Sequence, residues 1–143
     1  MTNKDFDNSF KLEIDAKLEN EGFIRSMVAA FAVQANPSVS EINDIKTAVS
    51  EAITNSIVHG YGGKGGKITI IVGVRTKLID ITIIDTGVGI KDIERARQPF
   101  FTTRANDERS GMGFTLMESF MDRIDVYNNL PSGLTVNMLK EIQ

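Results

Sequence analysis

Leu78-Ile79-Asp80-Ile81-Thr82-Ile83-Ile84-Asp85-Thr86-Gly87-Val88-Gly89-Ile90 is the stretch on which the reading of this chain turns. Residues 78–85 are dominated by Ile and Thr, whose branched side chains suit a pleated surface, and they predict a strand. Glycines at 87 and 89 then free the backbone to turn sharply. Residues 67–74 have the same character and are separated from this strand only by Arg75-Thr76-Lys77, so the two predict an antiparallel hairpin.

Outward from the hairpin the periodicity alternates between strand and helix. Phe10, Leu12 and Ile14 alternate with polar residues over 9–14, predicting a first strand. Residues 19–35 carry Phe23, Met27, Ala30 and Phe31 at helical spacing and stop at Asn36-Pro37. Ser40 reads as the N-cap of a second helix, with Ile42, Ile45, Val49, Ala52, Ile53 and Ile57 in one stripe and Gly60 at its end. Residues 113–121 predict a helix, and 123–128 and 133–139 two strands joined through Pro131-Ser132-Gly133. The order β αα ββ α ββ implies a two-layer α/β (α+β) sandwich, a mainly antiparallel mixed sheet with helices on one face, in one domain over 1–143.

Composition removes several classes of function. The chain has 143 residues and a net charge of −3, with no run of Lys and Arg fit to neutralise a row of phosphates, so no direct nucleic-acid contact is expected. The absence of cysteine excludes disulfides, thiolate metal sites and a catalytic thiol. The single histidine, His59, cannot build a two-histidine metal site and reads as a structural hydrogen-bonder. The N-terminal residues are charged, and the longest apolar run, 27–33, is too short to cross a bilayer, so a soluble cytoplasmic protein without membrane contact is expected.

Nine of the twelve glycines fall in three clusters, at 60–66, 87–89 and 111–113. The first resembles a phosphate loop but fails its spacing, since Ile68 follows Lys67 and the run leads into a strand; it reads as a flexible connector. The other two lack the third glycine of a dinucleotide fingerprint, with Asp92 and Leu116 in its place.

Glu51 and Asn55 stand four residues apart, so they share a helix face, roughly opposite the apolar stripe. Asp85 closes a buried strand, where a carboxylate can accept from an exocyclic amine such as adenine's while Gly87 and Gly89 let the backbone pass under a flat base. Alone, each feature also fits a solvated helix face or a simple strand-to-loop turn.

In their order and separation these stretches resemble the GHKL (gyrase, Hsp90, histidine kinase, MutL) ATP-binding superfamily. Glu51-Ala52-Ile53-Thr54-Asn55-Ser56-Ile57-Val58-His59-Gly60-Tyr61 is similar to its N box, Asp85-Thr86-Gly87-Val88-Gly89-Ile90 to its first glycine box, and Arg109-Ser110-Gly111-Met112-Gly113-Phe114 to its second. More narrowly, Ala96-Arg97-Gln98-Pro99-Phe100-Phe101-Thr102-Thr103 and the run from Gly113 to Asp122 resemble the anti-sigma F family of sporulation kinases, a likeness that extends from Phe10 to about Leu139.

The resemblance implies a Bergerat-type fold, ATP/ADP and Mg2+ as cofactors, and a homodimer. It also implies a serine kinase that phosphorylates an anti-anti-sigma factor and, in another complex, sequesters the sporulation sigma F factor. Glu51 matches the family's base, which a serine hydroxyl needs to lose its proton during attack. Asn55 matches the magnesium ligand. Asp85 matches the adenine-reading aspartate, with Gly87 and Gly89 at its base-side turn.

Residues 98–113 match the ATP lid, with Thr102, Thr103, Arg104, Arg109, Ser110, Gly111, Met112 and Gly113 toward the triphosphate. Thr135 matches an adenine-side contact and Arg25 a partner-binding arginine. The chain departs from the family at Leu134, where a threonine is usual, at Thr86, often acidic, and in the glycine content of 60–66. The methionines, among them Met117 and Met121, read as core filler. Three neighbouring readings share the boxes: a sensor histidine kinase domain, for which the stretch before residue 9 leaves no phosphoacceptor hairpin, a general-stress anti-sigma kinase, and a sigma-binding switch without phosphotransfer.

Overall fold

A computed structural model describes residues 6–98 and 113–143. Strand β1 (Asn8–Asp15) leads into α1 (Glu21–Ala32) and α2 (Val39–Asn55). The hairpin β2 (Lys67–Arg75) and β3 (Leu78–Asp85) follows, then α3 (Ile93–Ala96), α4 (Gly113–Phe120), β4 (Arg123–Asn128) and β5 (Leu134–Glu141). The strands form a five-stranded sheet in the order β1-β2-β3-β5-β4. Every described pairing is antiparallel, so the mixed sheet that was expected is simpler than foreseen. The short α3 was not foreseen; Asp92 caps it, its carboxylate accepting from Arg95 N at 3.1 Å.

Residues directly opposite in an antiparallel pair share a face, so the register sorts the sheet's side chains. Ile68, Ile70, Val72 and Val74 of β2 and Ile79, Ile81 and Ile83 of β3 are buried beneath the helices. They meet Ile24, Val28 and Ala32 of α1, Ile45, Val49 and Ile53 of α2, and Phe114 and Met117 of α4. Each wholly buried isoleucine contributes about 1.5–3 kcal/mol relative to exposure, and this layer is the main source of stability. Met117, Met121 and Met138 lie in the core, as expected of gap-filling side chains.

Two local expectations are corrected. The N-cap of α2 is Ser38, not Ser40: Ser38 Oγ accepts from Glu41 N at 3.1 Å while Glu41 Oε1 accepts from Ser38 N at 2.9 Å. Only Ser38 has a glutamate three residues on, which makes the reciprocal box possible. On α1 the buried face is Ile24, Val28, Ala29 and Ala32, one residue out of phase with the predicted stripe, and Phe23 is 55% exposed. The apolar band on α1 is wide enough to allow both phases, and Phe31 is drawn aside to an edge-on contact with Phe10 of β1.

Lys140 of β5 fastens two helices to the sheet. Its ammonium donates to the Phe120 carbonyl at the C-terminal end of α4 (2.6 Å) and pairs with Asp44 of α2 (3.3 Å). On the sheet face without helices, Asp80, Thr82, Ile84, Tyr127 and Asn137 line a shallow hollow of about 640 Å³. Asp80 is buried there at 7% exposure.

Burial pushes the Asp80 carboxyl above its ordinary value, against hydrogen bonds from Asn137 and Thr82 that lower it. A raised folded-state pKa contributes stability that is complete below the unfolded value of 3.8 and is lost as pH rises through the folded one. Asp80→Asn removes that loss while keeping an acceptor for Asn137. Its thermal midpoint at pH 7 is expected to exceed the parent's by about 2–4 °C, a gain that vanishes below about pH 4. Equal melting of the two proteins at pH 7 would refute the assignment.

Candidate nucleotide site

Three segments distant in sequence meet at one end of the sheet. The first is the end of α2, where Glu51 and Asn55 are half-buried on the last two turns, away from Ile45, Val49 and Ile53. Glu51 reaches the start of α4, since a Cβ placed on Gly113 would lie 3.6 Å from Glu51 Oε2. Beyond Asn55 the helix widens into a π-helical turn, Ser56–Gly60, closed by Tyr61 N donating to Ser56 O at 2.9 Å. The extra residue in such a turn shifts the phase, so that Ser56, Ile57 and Val58 are all buried and Gly60 is delivered to the end of β3.

The second segment is Asp85 and the glycines after it. Asp85 is 2% exposed. Its Oδ1 accepts from Gly87 N (3.0 Å) and Leu134 N (3.1 Å), and its Oδ2 accepts no hydrogen bond among the described residues. Gly60 lies against it, with a Cβ there only 3.1 Å from Oδ2, and the Gly60 carbonyl accepts from Val88 N at 2.9 Å. A Cβ on Gly87 would overlap the Gly60 carbonyl, so only glycine permits this crossing.

The third segment is the start of β5. A Cβ on Gly133 would overlap the Asp85 carbonyl, and Gly133 takes φ +110°, which L side chains rarely adopt. Tyr61 closes the arrangement: its hydroxyl donates to Lys67 O and accepts from Thr86 N at 2.7 Å. The glycine-rich connector is therefore anchored at its base, although Gly62, Gly63 and Gly65 have open space where a Cβ would stand.

The structure brings together Glu51, Asn55, Asp85, Gly87, Gly89 and Gly113 around this end of the sheet. It does not bring Thr135. By register Thr135 pairs with Ile84, on the sheet face opposite Asp85, and its hydroxyl donates to Asn129 Oδ1 at 2.6 Å. Leu134 is the residue beside Asp85, because successive strand residues point to opposite faces. Thr102, Thr103, Arg104, Arg109, Ser110, Gly111 and Met112, with the greater part of the 98–113 lid, lie outside the described residues. His59 is half-buried in the π turn.

Arg25 stands on α1, away from the nucleotide site, 3.5 Å from Glu21. Tyr61, Asn128, Asn129 and Ser132 were not singled out from the sequence. The Asn-Asn pair ahead of Pro131 was the available signal, but it read simply as the end of a strand.

An antiparallel sheet covered on one face by helices, with a buried acceptor carboxylate among glycines at one sheet end, defines a histidine kinase-like ATPase domain. Residues 14–140 match that family under the description "Histidine kinase-like ATPase domain". The same fold occurs in the RsbU and RsbW domains of Rv1364c from Mycobacterium tuberculosis, with a TM-score of 0.67 at 16% identity over 94% of this chain and 32% of that one. It also occurs in the catalytic domain of histidine kinase ThkA, with a TM-score of 0.57 at 16% identity over 93% of this chain and 96% of that one.

Closer relatives narrow the family. The anti-sigma F factor of Thermoanaerobacter sp. (strain X514) is 51% identical over 96% of both chains. That of Clostridium perfringens (strain ATCC 13124) is 48% identical over 95% of this chain and 98% of its own, and that of Geobacillus kaustophilus is 48% identical over 94% and 93%. The chain belongs to the anti-sigma F factor family.

Gly87→Ala tests the crossing of the two loops. The methyl group must displace the Gly60 backbone, and overpacking of this kind costs about 1–3 kcal/mol, to be read as a lowered midpoint in urea unfolding. Gly62→Ala, with nothing near its Cβ and only its φ of +60° to oppose it, is expected to cost about 1 kcal/mol.

Proposed function

We propose that this protein is an anti-sigma factor and an ATP-dependent protein serine kinase. It binds and inhibits the sporulation sigma F factor and inactivates an anti-anti-sigma factor by phosphorylating one of its serines. The observation that carries the proposal is the meeting of Glu51, Asn55 and Gly113 on one side with Asp85, Gly87 and Leu134 on the other. Relatives 48–51% identical over nearly the whole chain, all called anti-sigma F factor, support it.

Asp85 suits a nucleotide base. Two backbone N–H groups hold Oδ1 and fix the carboxylate, and Oδ2 remains as an acceptor for an exocyclic amine. The close approach of Gly60, Gly87 and Gly133 leaves the carboxylate bordered by backbone, with no side chain of their own to fill the space. Glu51, one turn before Asn55 and beside the start of α4, is the base that takes the proton of the acceptor serine as its oxygen attacks the γ-phosphorus. The departing ADP carries away the electron pair of the broken P–O bond.

The described residues contain no cluster of three or more His, Cys, Asp or Glu able to hold a metal. Asn55, whose side chain makes no hydrogen bond among the described residues, would give magnesium an amide oxygen. When bound, the ion would neutralise charge on the phosphate oxygens.

Residues 1–143 act as one domain in this reading, with 98–113 closing over the triphosphate. The active form is a cytoplasmic homodimer. Arg25 serves as the partner contact at the start of α1, where Leu18 and Phe23 are more than half exposed.

The test is transfer of label from γ-labelled ATP, with magnesium, to a purified anti-anti-sigma protein. Label on a serine of that protein is expected. Glu51→Gln is expected to lower transfer at least about a hundredfold while leaving ATP affinity and sigma binding within about twofold. Nucleotide and sigma binding without any transfer by the parent protein would instead make it a sequestering switch.

A further inference from the structure

The turn between β4 and β5 is tied to the loop after β3 by side-chain amides. Asn128 binds both backbone groups of one residue: its Oδ1 accepts from Ile90 N at 2.8 Å and its Nδ2 donates to Ile90 O at 2.7 Å. Asn129 Nδ2 donates to Asp85 O at 3.0 Å, and its Oδ1 accepts the Thr135 hydroxyl at 2.6 Å. Between them Ser132 Oγ donates to Thr86 O at 3.1 Å. The loop is thus gripped at its first residue, its second and its last. It also lies close to the clamp, since Gly89 takes φ +72° and a Cβ there would come within 2.6 Å of Asn128 Oδ1.

The Thr86 and Ile90 groups lie beyond β3, and Asp85, paired with Ile68 of β2, lies one residue past the last β3–β5 pair, Ile84 with Thr135, so the amides stand in on this side for pairing that has ended. Without them Ile90 N–H and C=O would turn to water, and the loop would have to be ordered by the ligand at an entropic cost.

We propose that Asn128 and Asn129 are positioning residues for recognition of the nucleotide base, and that Thr135 acts at this site only through Asn129. This rests on the reading of Asp85 and its glycines as the base site. The described hydrogen bonds of the clamp go to residues 85–90 and within the β4–β5 turn and β5, none of them to Asn55 or α4. It therefore governs affinity for the part of the ligand common to ATP and ADP, and not the discrimination between them or the phosphoryl-transfer step.

The experiment titrates ATP and ADP into the full chain by calorimetry and measures transfer at saturating ATP for Asn128→Ala, Asn128→Asp, Thr135→Val and, as a control, Asp85→Asn. Loss of both Ile90 bonds in Asn128→Ala should raise Kd about tenfold for ATP and ADP alike, with the ratio of the two and the saturated rate unchanged within about twofold. Thr135→Val, which frees the Asn129 amide to turn, should weaken both nucleotides about threefold. If Asn128→Ala does not fold, Asn128→Asp carries the test: it keeps the acceptor for Ile90 N–H, loses the donor to Ile90 O, and should weaken both nucleotides equally.

Unchanged Kd values in the Asn128 variant that folds, a loss confined to ATP, or a fall in the saturated rate alone would each overturn the proposal. Loss of nucleotide by Asp85→Asn beside unchanged binding in the Asn128 variant overturns the clamp and leaves the base site standing. Parent-like binding by Asp85→Asn overturns the base site itself.

Discussion

The architecture depends on the close approach of three backbone segments around one carboxylate. Asp85 ends the central strand β3, and Gly60, Gly87 and Leu134, from three separate parts of the chain, come within hydrogen-bond or van der Waals distance of it. A buried carboxylate is costly unless it is hydrogen-bonded, and here two backbone N–H groups bond to one of its oxygens, Oδ1. That arrangement is possible only where side chains are missing, at Gly87 against Gly60 and at Gly133 against Asp85. The geometry of the site and the stability of this end of the sheet are for this reason one problem.

The site then has two halves of different construction. The acidic and amide side chains of the α2 end sit on a long helix packed against the core, with Lys140 bonded to α2 and α4 together. The half around Asp85 is a loop, ordered by Gly60, Tyr61 and the β4–β5 turn. The π turn at Ser56–Gly60 joins them, since it ends the helix that bears Asn55 and places Gly60 beneath Val88. A site of this kind needs its groups held to a fraction of an ångström, and a helix on a packed core holds Glu51 and Asn55 while the clamped loop holds Asp85 and its glycines.

Most of the elements were legible because their periods are strong. The β2–β3 hairpin and β4 lie where Ile, Val and Thr runs placed them, to within a residue. The phase of α1 was not legible, because Phe23, Ile24, Met27, Val28, Ala29 and Phe31 make an apolar band on which two faces compete, and only packing into the tertiary core, with Ile24, Val28 and Ala32 inward, distinguishes them. The cap at Ser38 could have been read from Glu41 three residues on, but a second serine at 40 stood nearer the stripe. At the site, spacing put Glu51 and Asn55 on one helix face and Asp85 at a strand end, features that alone also fit a solvated face or a turn, and it was the resemblance to the GHKL boxes that singled them out. Thr135 was misplaced because a motif match carries no parity, and one step along a strand reverses the face. Asn128 and Asn129 were missed because their partners, Ile90 and Asp85, are about forty residues away in sequence.

The strand order has a consequence for how the protein comes into being. β5, the last of the five strands in chain order, lies between β3 and β4, so the middle of the sheet stays open until β5 has emerged from the ribosome. A nascent chain that has produced α2 and the whole β2–β3 hairpin still lacks Leu134 against Asp85 and Lys140 beneath α2 and α4. Long-range closure of this kind is slow to form and gains nothing until it is complete. A chain cut before β5 accordingly leaves the Asp85 carboxylate without the Leu134 N–H that helps to hold it.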